Sequence, residues 1–86
     1  MKASEREYLG KVAALGCMIC KMPAEIHHIR TGQGHMRAKH TQVIPLCHRH
    51  HRTGGYGVAI HAGIKGWEEN FGSELDMLEK VINLCA

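Results

Sequence analysis

The sequence contains no apolar run that approaches the roughly 20 residues needed to cross a bilayer. Its N-terminal stretch, MKASEREYLGK, also lacks the apolar core of a secretory signal peptide. These absences predict a protein with no membrane partner that stays in the cytoplasm, where thiols remain reduced. Clustered cysteines in that compartment hold metal ions more often than they form disulfides.

Internal repeats, low-complexity tracts and interdomain linkers are absent as well, which predicts a single domain over residues 1–86. A chain of this length buries little apolar surface and often needs an additional staple, such as a bound metal. The four cysteines and eight histidines of the sequence are residue types that supply such a staple.

Acidic residues are scarce in the centre of the chain, where Glu25 is the single acidic residue of the segment 21–52. The same segment contains seven of the eight histidines. The basic residues of this segment are Lys21, Arg30, Arg37, Lys39, Arg49 and Arg52. From Trp67 onward, by contrast, most charged residues are acidic, and Lys80 is the single basic residue. A basic centre with an acidic end indicates a nucleic-acid-binding protein, and a solvated, charge-mixed surface explains the charges equally well.

The hydrophobic pattern predicts a small α+β domain with helices on both sides of a strand–loop–strand–helix centre. The predicted elements are a helix over 4–15, strands over 25–29 and 42–46, a short helix over 47–53 and a helical segment over 67–85. Ser73, with Asp76 three residues on, is predicted to cap the last helix of this segment. The predicted apolar side of that helix consists of Leu75, Leu78, Val81, Ile82 and Cys85.

Two short pairs of metal-type residues have matched spacing: Cys17-x-x-Cys20 and Cys47-x-x-His50. The spacing lets both members of a pair reach one ion, and four such ligands close a tetrahedral zinc site. We therefore predict a structural Zn²⁺ that ties the first pair to the start of the short helix. Two chance pairs of buried thiols are the alternative.

The remaining histidines include one that directly follows a predicted zinc ligand, because His51 comes after His50. Neighbours on a helix point about 100° apart, so His51 can face away from the zinc and towards the strand that holds His27 and His28. This placement predicts a second, open metal site with one imidazole beside it that is not a ligand. A solvated or core side chain is the alternative for any single histidine.

The motifs CMIC, HHIR and PLCHRHH, in this order, resemble those of the HNH endonucleases, whose core is the ββα-metal (His-Me finger) fold. The words LGCxxC, IHHIRxGxG and PLCxxHHRxG, with a later histidine before WEENFG, are similar to those of phage recombination-enhancement (Ref-type) nucleases, which depend on a recombinase filament. The resemblance covers nearly the whole chain. It implies a zinc-stabilised ββα-metal core within 17–53, flanked by N- and C-terminal helices, and a metal-dependent DNA endonuclease of phage or prophage recombination.

The resemblance also implies a role for individual residues. His27 matches the strand ligand of the catalytic metal, His28 the general base that activates water, and His51 the helix ligand of the same metal. Gln42 stands where the family has an asparagine that braces the loop and orients the base. His61 matches a later histidine of Ref-type relatives, and both a third metal ligand and a phosphate contact remain open for it.

Phosphodiester hydrolysis explains why these residue types belong together. A neutral imidazole can accept a proton from water near neutral pH, and a divalent cation neutralises charge on the phosphate. An all-histidine ligand set suits Zn²⁺, Ni²⁺ or Mn²⁺ better than Mg²⁺, which leaves the identity of the catalytic metal open. The residues predicted to bind the DNA backbone are Arg30, Arg37, Lys39, Arg49 and Arg52. A non-catalytic zinc-containing DNA-binding module is the main alternative, and a regulatory component of a larger enzyme is a minor one.

The paired histidines raise a geometric difficulty. Adjacent side chains of a regular strand point to opposite faces, yet His27 and His28 would both have to address one phosphate. We therefore predict a strongly twisted or bulged backbone at this pair.

Overall fold

The computed structural model describes residues 2–32 and 41–86. In chain order, the regular elements are helix α1 (Ala3–Ala14), strands β1 (Glu25–His28) and β2 (Val43–Leu46), a π-helical turn (Arg49–Thr53), a 3₁₀ turn (Ile60–Ala62), and helices α2 (Ile64–Phe71) and α3 (Glu74–Leu84). The predicted small α+β class, with helices before and after a strand pair, is confirmed. Every helix within the described ranges is too short or too polar to cross a bilayer.

The two strands form a regular antiparallel pair. Residues pair one to one from Glu25 with Leu46 to His28 with Val43. No extra residue interrupts this register, so the predicted bulge at the paired histidines is wrong, while the twisted backbone offered with it stays a prediction. Each histidine has its own partner in β2, His27 with Ile44 and His28 with Val43, whereas a bulge would place two residues opposite one. Regular alternation instead buries His27 and leaves His28 exposed.

The core forms around β2, against which both α1 and α3 pack. Val12 of α1, Val81 of α3 and Trp67 of α2 are fully buried there. Pro45 is tolerated within β2 because each strand of a two-stranded sheet is an edge strand. The carbonyl of Pro45 accepts a hydrogen bond of 3.0 Å from the amide of Met18, which attaches the first Cys-x-x-Cys segment to the core.

The C-terminal segment predicted over 67–85 is helical, with a last helix that begins after Ser73 as predicted. It forms two helices, and the first begins earlier than expected, at Ile64. The break falls at Gly72, whose φ of +100° lies outside the helical region. The predicted cap of α3 is confirmed, since the Oγ of Ser73 accepts a hydrogen bond of 3.1 Å from the amide of Asp76.

The inward face of α3 also differs from the prediction. Its buried residues are Glu74, Met77, Leu78 and Val81. Leu75 and Ile82, predicted to be inside, are 48% and 46% exposed. The helix is rotated because a carboxylate, and not a leucine, occupies the innermost position of its first turn. Cys85 is half-buried and packs against the core, as predicted.

The turn before the first cysteine requires glycine. Gly16 has a φ of +77°, and a Cβ at this position would lie 2.8 Å from the carbonyl oxygen of Lys21. The amide of Lys21 donates to the carbonyl of Cys17 (2.9 Å), and the amide of Cys17 donates to the carbonyl of Met22 (2.9 Å). These two bonds close the loop that contains both cysteines, so the backbone has little room to retreat.

Gly16→Ala is expected to lower the free energy of unfolding by about 2–3 kcal/mol, because the left-handed penalty of about 1–2 kcal/mol is added to a backbone clash. Gly55→Ala is the matched control: Gly55 has a φ of +82°, and no described atom lies within 4 Å of the added Cβ. Urea unfolding of the two variants isolates the clash. Equal losses of stability would show that the Lys21 contact is harmless.

Candidate metal centres

The first candidate centre is the Cys₃His set predicted from the paired spacing. The ligand atoms of Cys17, Cys20, Cys47 and His50 all lie within 4.8 Å of one another. The Nδ1 of His50 is 3.2 Å from the Sγ of Cys47 and 3.6 Å from that of Cys17, and the Sγ atoms of Cys20 and Cys47 are 3.6 Å apart. Tetrahedral zinc with Zn–S of about 2.3 Å and Zn–N of about 2.0 Å holds its ligand atoms about 3.5–3.8 Å apart. The residues therefore fit a zinc ion.

The backbone around Cys17 favours the thiolate that zinc requires. Amides of Ile19 and His50 point to the Sγ atoms of Cys17 (3.4 Å) and Cys47 (3.5 Å), respectively. Burial raises the pKa of the Cys17 thiol, but backbone hydrogen bonds, led by the one at Cys47, outweigh burial and lower the pKa below its ordinary value. Burial also lowers the pKa of His50, which keeps its imidazole in the neutral form that binds metals.

The second candidate centre consists of three histidines from three elements. His27 of β1, His51 of the π-helical turn and His61 of the 3₁₀ turn have ligand atoms within 4.8 Å of one another. The ring centroids are 5.1 Å apart for His27 and His51, 4.3 Å for His51 and His61, and 5.5 Å for His27 and His61. His27 and His51 are buried and His61 is exposed, so this centre reaches the surface at His61.

The electrostatic environment favours the neutral form of two rings of this cluster, those of His51 and His61. Burial lowers the pKa of His51, and it does so although the hydrogen bond to Glu25 raises it. Burial and the neighbouring imidazoles His51 and His27 lower the pKa of His61. Three protonated rings at these distances would repel one another, whereas neutral rings present lone pairs to a cation.

Consecutive residues separate the two centres, as the helical spacing predicts. His50 belongs to the cysteine cluster and His51 to the histidine cluster. The π-helical turn makes this division possible because it begins directly after Cys47 and His48, and the amide of His51 is bonded to the carbonyl of Cys47 at 2.9 Å. One short turn therefore contributes to both centres.

A fully buried carboxylate, that of Glu74, adjoins the histidine cluster. Its Oε2 lies 2.6 Å from the Nε2 of His27. Its Oε1 accepts hydrogen bonds from the amides of Arg30 (3.0 Å) and Thr31 (3.0 Å) and from the Oγ1 of Thr31 (2.7 Å). Burial raises the pKa of Glu74, but these bonds, led by the one from His27, lower it to about 2. The carboxylate is therefore ionised at neutral pH.

A second carboxylate, that of Glu25, orients His51. Its Oε1 lies 2.7 Å from the Nδ1 of His51. Arg52 binds both oxygens of Glu25, through Nε at 2.9 Å and Nη2 at 2.7 Å. The hydrogen bond from Arg52 is the main reason that the pKa of Glu25 is lowered. Arg52, predicted to bind DNA, thus already has an acidic partner within the protein.

Comparison with known proteins places the chain in a family. Residues 1–86 match the family model described as "Protein of unknown function (DUF968)". The chain belongs to the DUF968 family. Among curated proteins, the "Uncharacterized protein YdfU" of Escherichia coli (strain K12) is 31% identical over 83 residues. The match covers 92% of this chain and 22% of the relative, so the chain spans about a fifth of the length of the curated relative that it matches. No solved structure matches.

His28 and Gln42, also singled out in the sequence, are members of neither cluster of this DUF968 chain. His28 is exposed and ends β1. Gln42 is half-buried, and its carbonyl accepts a hydrogen bond of 3.1 Å from the amide of Ile29. Their roles as base and brace stay predictions.

The predicted DNA-binding residues are only partly within the described ranges. Arg30 and Arg49 are exposed. Arg37 and Lys39 lie outside the described residues. Contact with DNA therefore stays a prediction for all of them.

Sequence reasoning missed the two carboxylates. Glu25 shares a strand face with His27 at a spacing of two residues, and this local signal could have identified it. Glu74 is 47 positions from His27 and stands in an acidic tail, so no local pattern marks it.

Proposed function

We propose that this DUF968 chain is a metal-dependent DNA endonuclease that hydrolyses phosphodiester bonds at an HNH-type site. The observation that carries the proposal is the cluster of His27, His51 and His61, with ligand atoms within 4.8 Å and one exposed member. A structural site closes four protein ligands around its ion, whereas three ligands leave room for water and phosphate. A closed set and an open set in one small domain fit one structural zinc and one reactive ion.

The carboxylates on two of these imidazoles support a metal site over a group of ordinary core histidines. Glu74 contacts His27 and Glu25 contacts His51, each through one ring nitrogen. Metal-binding histidines commonly donate their second N–H to a carboxylate, which sets the tautomer and the ring orientation. Packing alone would give no reason to place two carboxylates at three clustered imidazoles, because buried acids are costly.

In the proposed reaction, His27, His51 and His61 would hold a divalent ion, which would supply positive charge for the scissile phosphate. Water forms the new P–O bond, the P–O bond to the leaving sugar oxygen breaks, and that oxygen takes a proton from solvent. His28, exposed beside His27 at the end of β1, accepts the proton of the attacking water. Gln42 braces the end of β1 through the hydrogen bond from Ile29, the residue after the base. Two rings of the cluster are kept neutral by burial, so they bind the ion without first losing a proton.

DNA contact in this proposal comes from exposed basic residues near the site. Arg30 follows β1 by two positions, and Arg49 begins the π-helical turn that contains His51. Binding through such residues is salt-dependent and largely independent of base sequence. We also propose a role in phage recombination, with a recombinase filament as partner, and this part of the proposal rests on the sequence resemblance alone.

The test is cleavage of supercoiled plasmid and of single-stranded DNA by zinc-loaded protein with added Mg²⁺, Mn²⁺, Ni²⁺ or Zn²⁺, with and without a recombinase filament. We expect metal-dependent cleavage by the wild type, and a loss of at least about 100-fold in His51→Ala because a ligand is removed. Metal analysis should show one equivalent fewer in the variant. If DNA is bound but stays intact under every condition, a zinc-containing binding module replaces the nuclease.

A further inference from the structure

We infer that Glu74, the first residue of α3, is a positioning residue of the histidine centre. This inference rests on the proposed function, since it concerns the ion that His27, His51 and His61 would hold. Glu74 itself would not touch the ion. It would act through His27, by fixing which nitrogen of the ring carries the proton and by supplying negative charge behind it.

The orientation argument begins with the two oxygens of Glu74. An ionised carboxylate has no proton to donate, so the 2.6 Å contact requires a proton on the Nε2 of His27. A neutral imidazole with its proton on Nε2 has its lone pair on Nδ1. The contact thus selects the tautomer in which Nδ1 is the ligand atom.

The carboxylate is itself held firmly in place. Oε1 is bonded to two backbone amides and one hydroxyl, those of Arg30 and Thr31. The side chain of Glu74 is 0% exposed, so water does not compete for either oxygen. These donors belong to the chain that leaves β1, which means that the strand end and the imidazole are oriented by the same group. The ring of His27 is therefore pre-positioned before any ion arrives.

The charge argument separates Glu74 from Glu25. Glu25 is paired with the permanent cation of Arg52 and is partly exposed. The described donors to Glu74 are two amides, one hydroxyl and one imidazole, and none of these is a permanent cation. The described partners of Glu74 therefore stabilise its charge by hydrogen bonds, whereas the charge of Glu25 is already neutralised by Arg52. A divalent ion at His27 would add a cation next to Glu74, so Glu74 should favour ion binding more strongly than Glu25 does.

Because Glu74 stands at the start of α3, a variant of the neighbouring cap residue Ser73 can serve as the control for helix stability. Ser73 caps the same helix through the amide of Asp76, and Glu68 accepts the amide of Glu74 at 2.8 Å. Ser73→Ala weakens the start of α3 and leaves the carboxylate of Glu74 unchanged. It therefore separates loss of helix stability from loss of the carboxylate.

The experiment is a Co²⁺ titration of protein whose cysteine centre is already filled with Zn²⁺, followed by visible absorption and by calorimetry. We expect Glu74→Gln to bind Co²⁺ about 10–100-fold more weakly, with a changed absorption spectrum, because the carboxylate behind a ligand is lost. We expect Ser73→Ala to melt at a lower temperature but to bind Co²⁺ as the wild type does. Glu25→Gln should have the smaller effect of the two carboxylate variants.

Several outcomes would overturn the inference. Unchanged Co²⁺ affinity and spectrum in Glu74→Gln would do so, and so would an equal loss in Ser73→Ala. If Glu74→Gln does not fold, Thr31→Val is the deciding variant, because it removes one hydrogen-bond donor to Oε1 and leaves the three imidazoles in place. A several-fold loss of Co²⁺ affinity in this variant would support the inference, and an unchanged affinity would overturn it. If the wild type itself takes up no second ion, the proposed metal centre is wrong. If the wild type and Glu74→Gln bind Co²⁺ equally well, the metal centre stands and the role of Glu74 is wrong.

Discussion

Cys20→Ser is expected to abolish zinc binding and cooperative folding together. Cys20 is exposed, so the loss cannot come from core packing and must come from the ion. Structural zinc in small finger domains contributes on the order of 10 kcal/mol, which is comparable to the whole stability of about 5–15 kcal/mol of a typical domain. The ion would join the first Cys-x-x-Cys loop to the residues that follow β2. Zinc content and a thermal melt followed by circular dichroism measure both effects.

Cys85→Ser is the matched control for this prediction. Cys85 is half-buried at the end of α3 and belongs to neither cluster of the described residues. The variant should keep its zinc and a sharp melt, with a small change in melting temperature. A Cys20→Ser protein that contains no zinc and still melts sharply would contradict the structural role of the ion.

His28→Ala is expected to lower the rate of DNA cleavage by about 10²–10⁴-fold, the usual contribution of a general base. Folding, the content of both metals and DNA binding should stay close to those of the wild type, because the His28 side chain is exposed and belongs to neither cluster. Single-turnover cleavage at saturating metal measures the loss. Added imidazole should restore part of the rate, since it can replace the missing base.

His48→Ala is the control for the loss of an exposed histidine. The side chain of His48 is 68% exposed, and its contact with Glu25 is supplementary because Glu25 is also bonded to Arg52 and His51. Its cleavage rate should stay near that of the wild type. Equal rates for His28→Ala and the wild type would show that another group accepts the proton, and the assignment of the base would be wrong.

The parts of the site that could be predicted from sequence are those with short spacing. Cys17 and Cys20 lie within one loop, and Cys47 and His50 within one turn, so their convergence needs only that the two segments meet. The division between His50 and His51 follows from the angle between neighbours on a helix. Such local rules hold because covalent geometry sets the directions of nearby side chains whatever the rest of the chain does.

The rotation of α3 could not be predicted in this way. Its sequence offers two apolar faces, and the expected one includes Leu75 and Ile82, which are exposed. The observed face places Glu74 inside, where donors from the end of β1 satisfy its carboxylate. Hydrophobicity ranks an acid as a surface residue, and only the presence of those donors reverses that preference.

The sequence by itself determined the strand pair between helices and the cluster of Cys17, Cys20, Cys47 and His50, because spacing and alternation are local properties. The tertiary structure alone decided the one-to-one pairing at His27 and His28, because the register depends on the partner strand β2 and not on the local sequence of β1. It also decided the role of Glu74, which meets its imidazole across 47 positions. A contact of that separation depends on how the whole chain packs, and no short pattern records it.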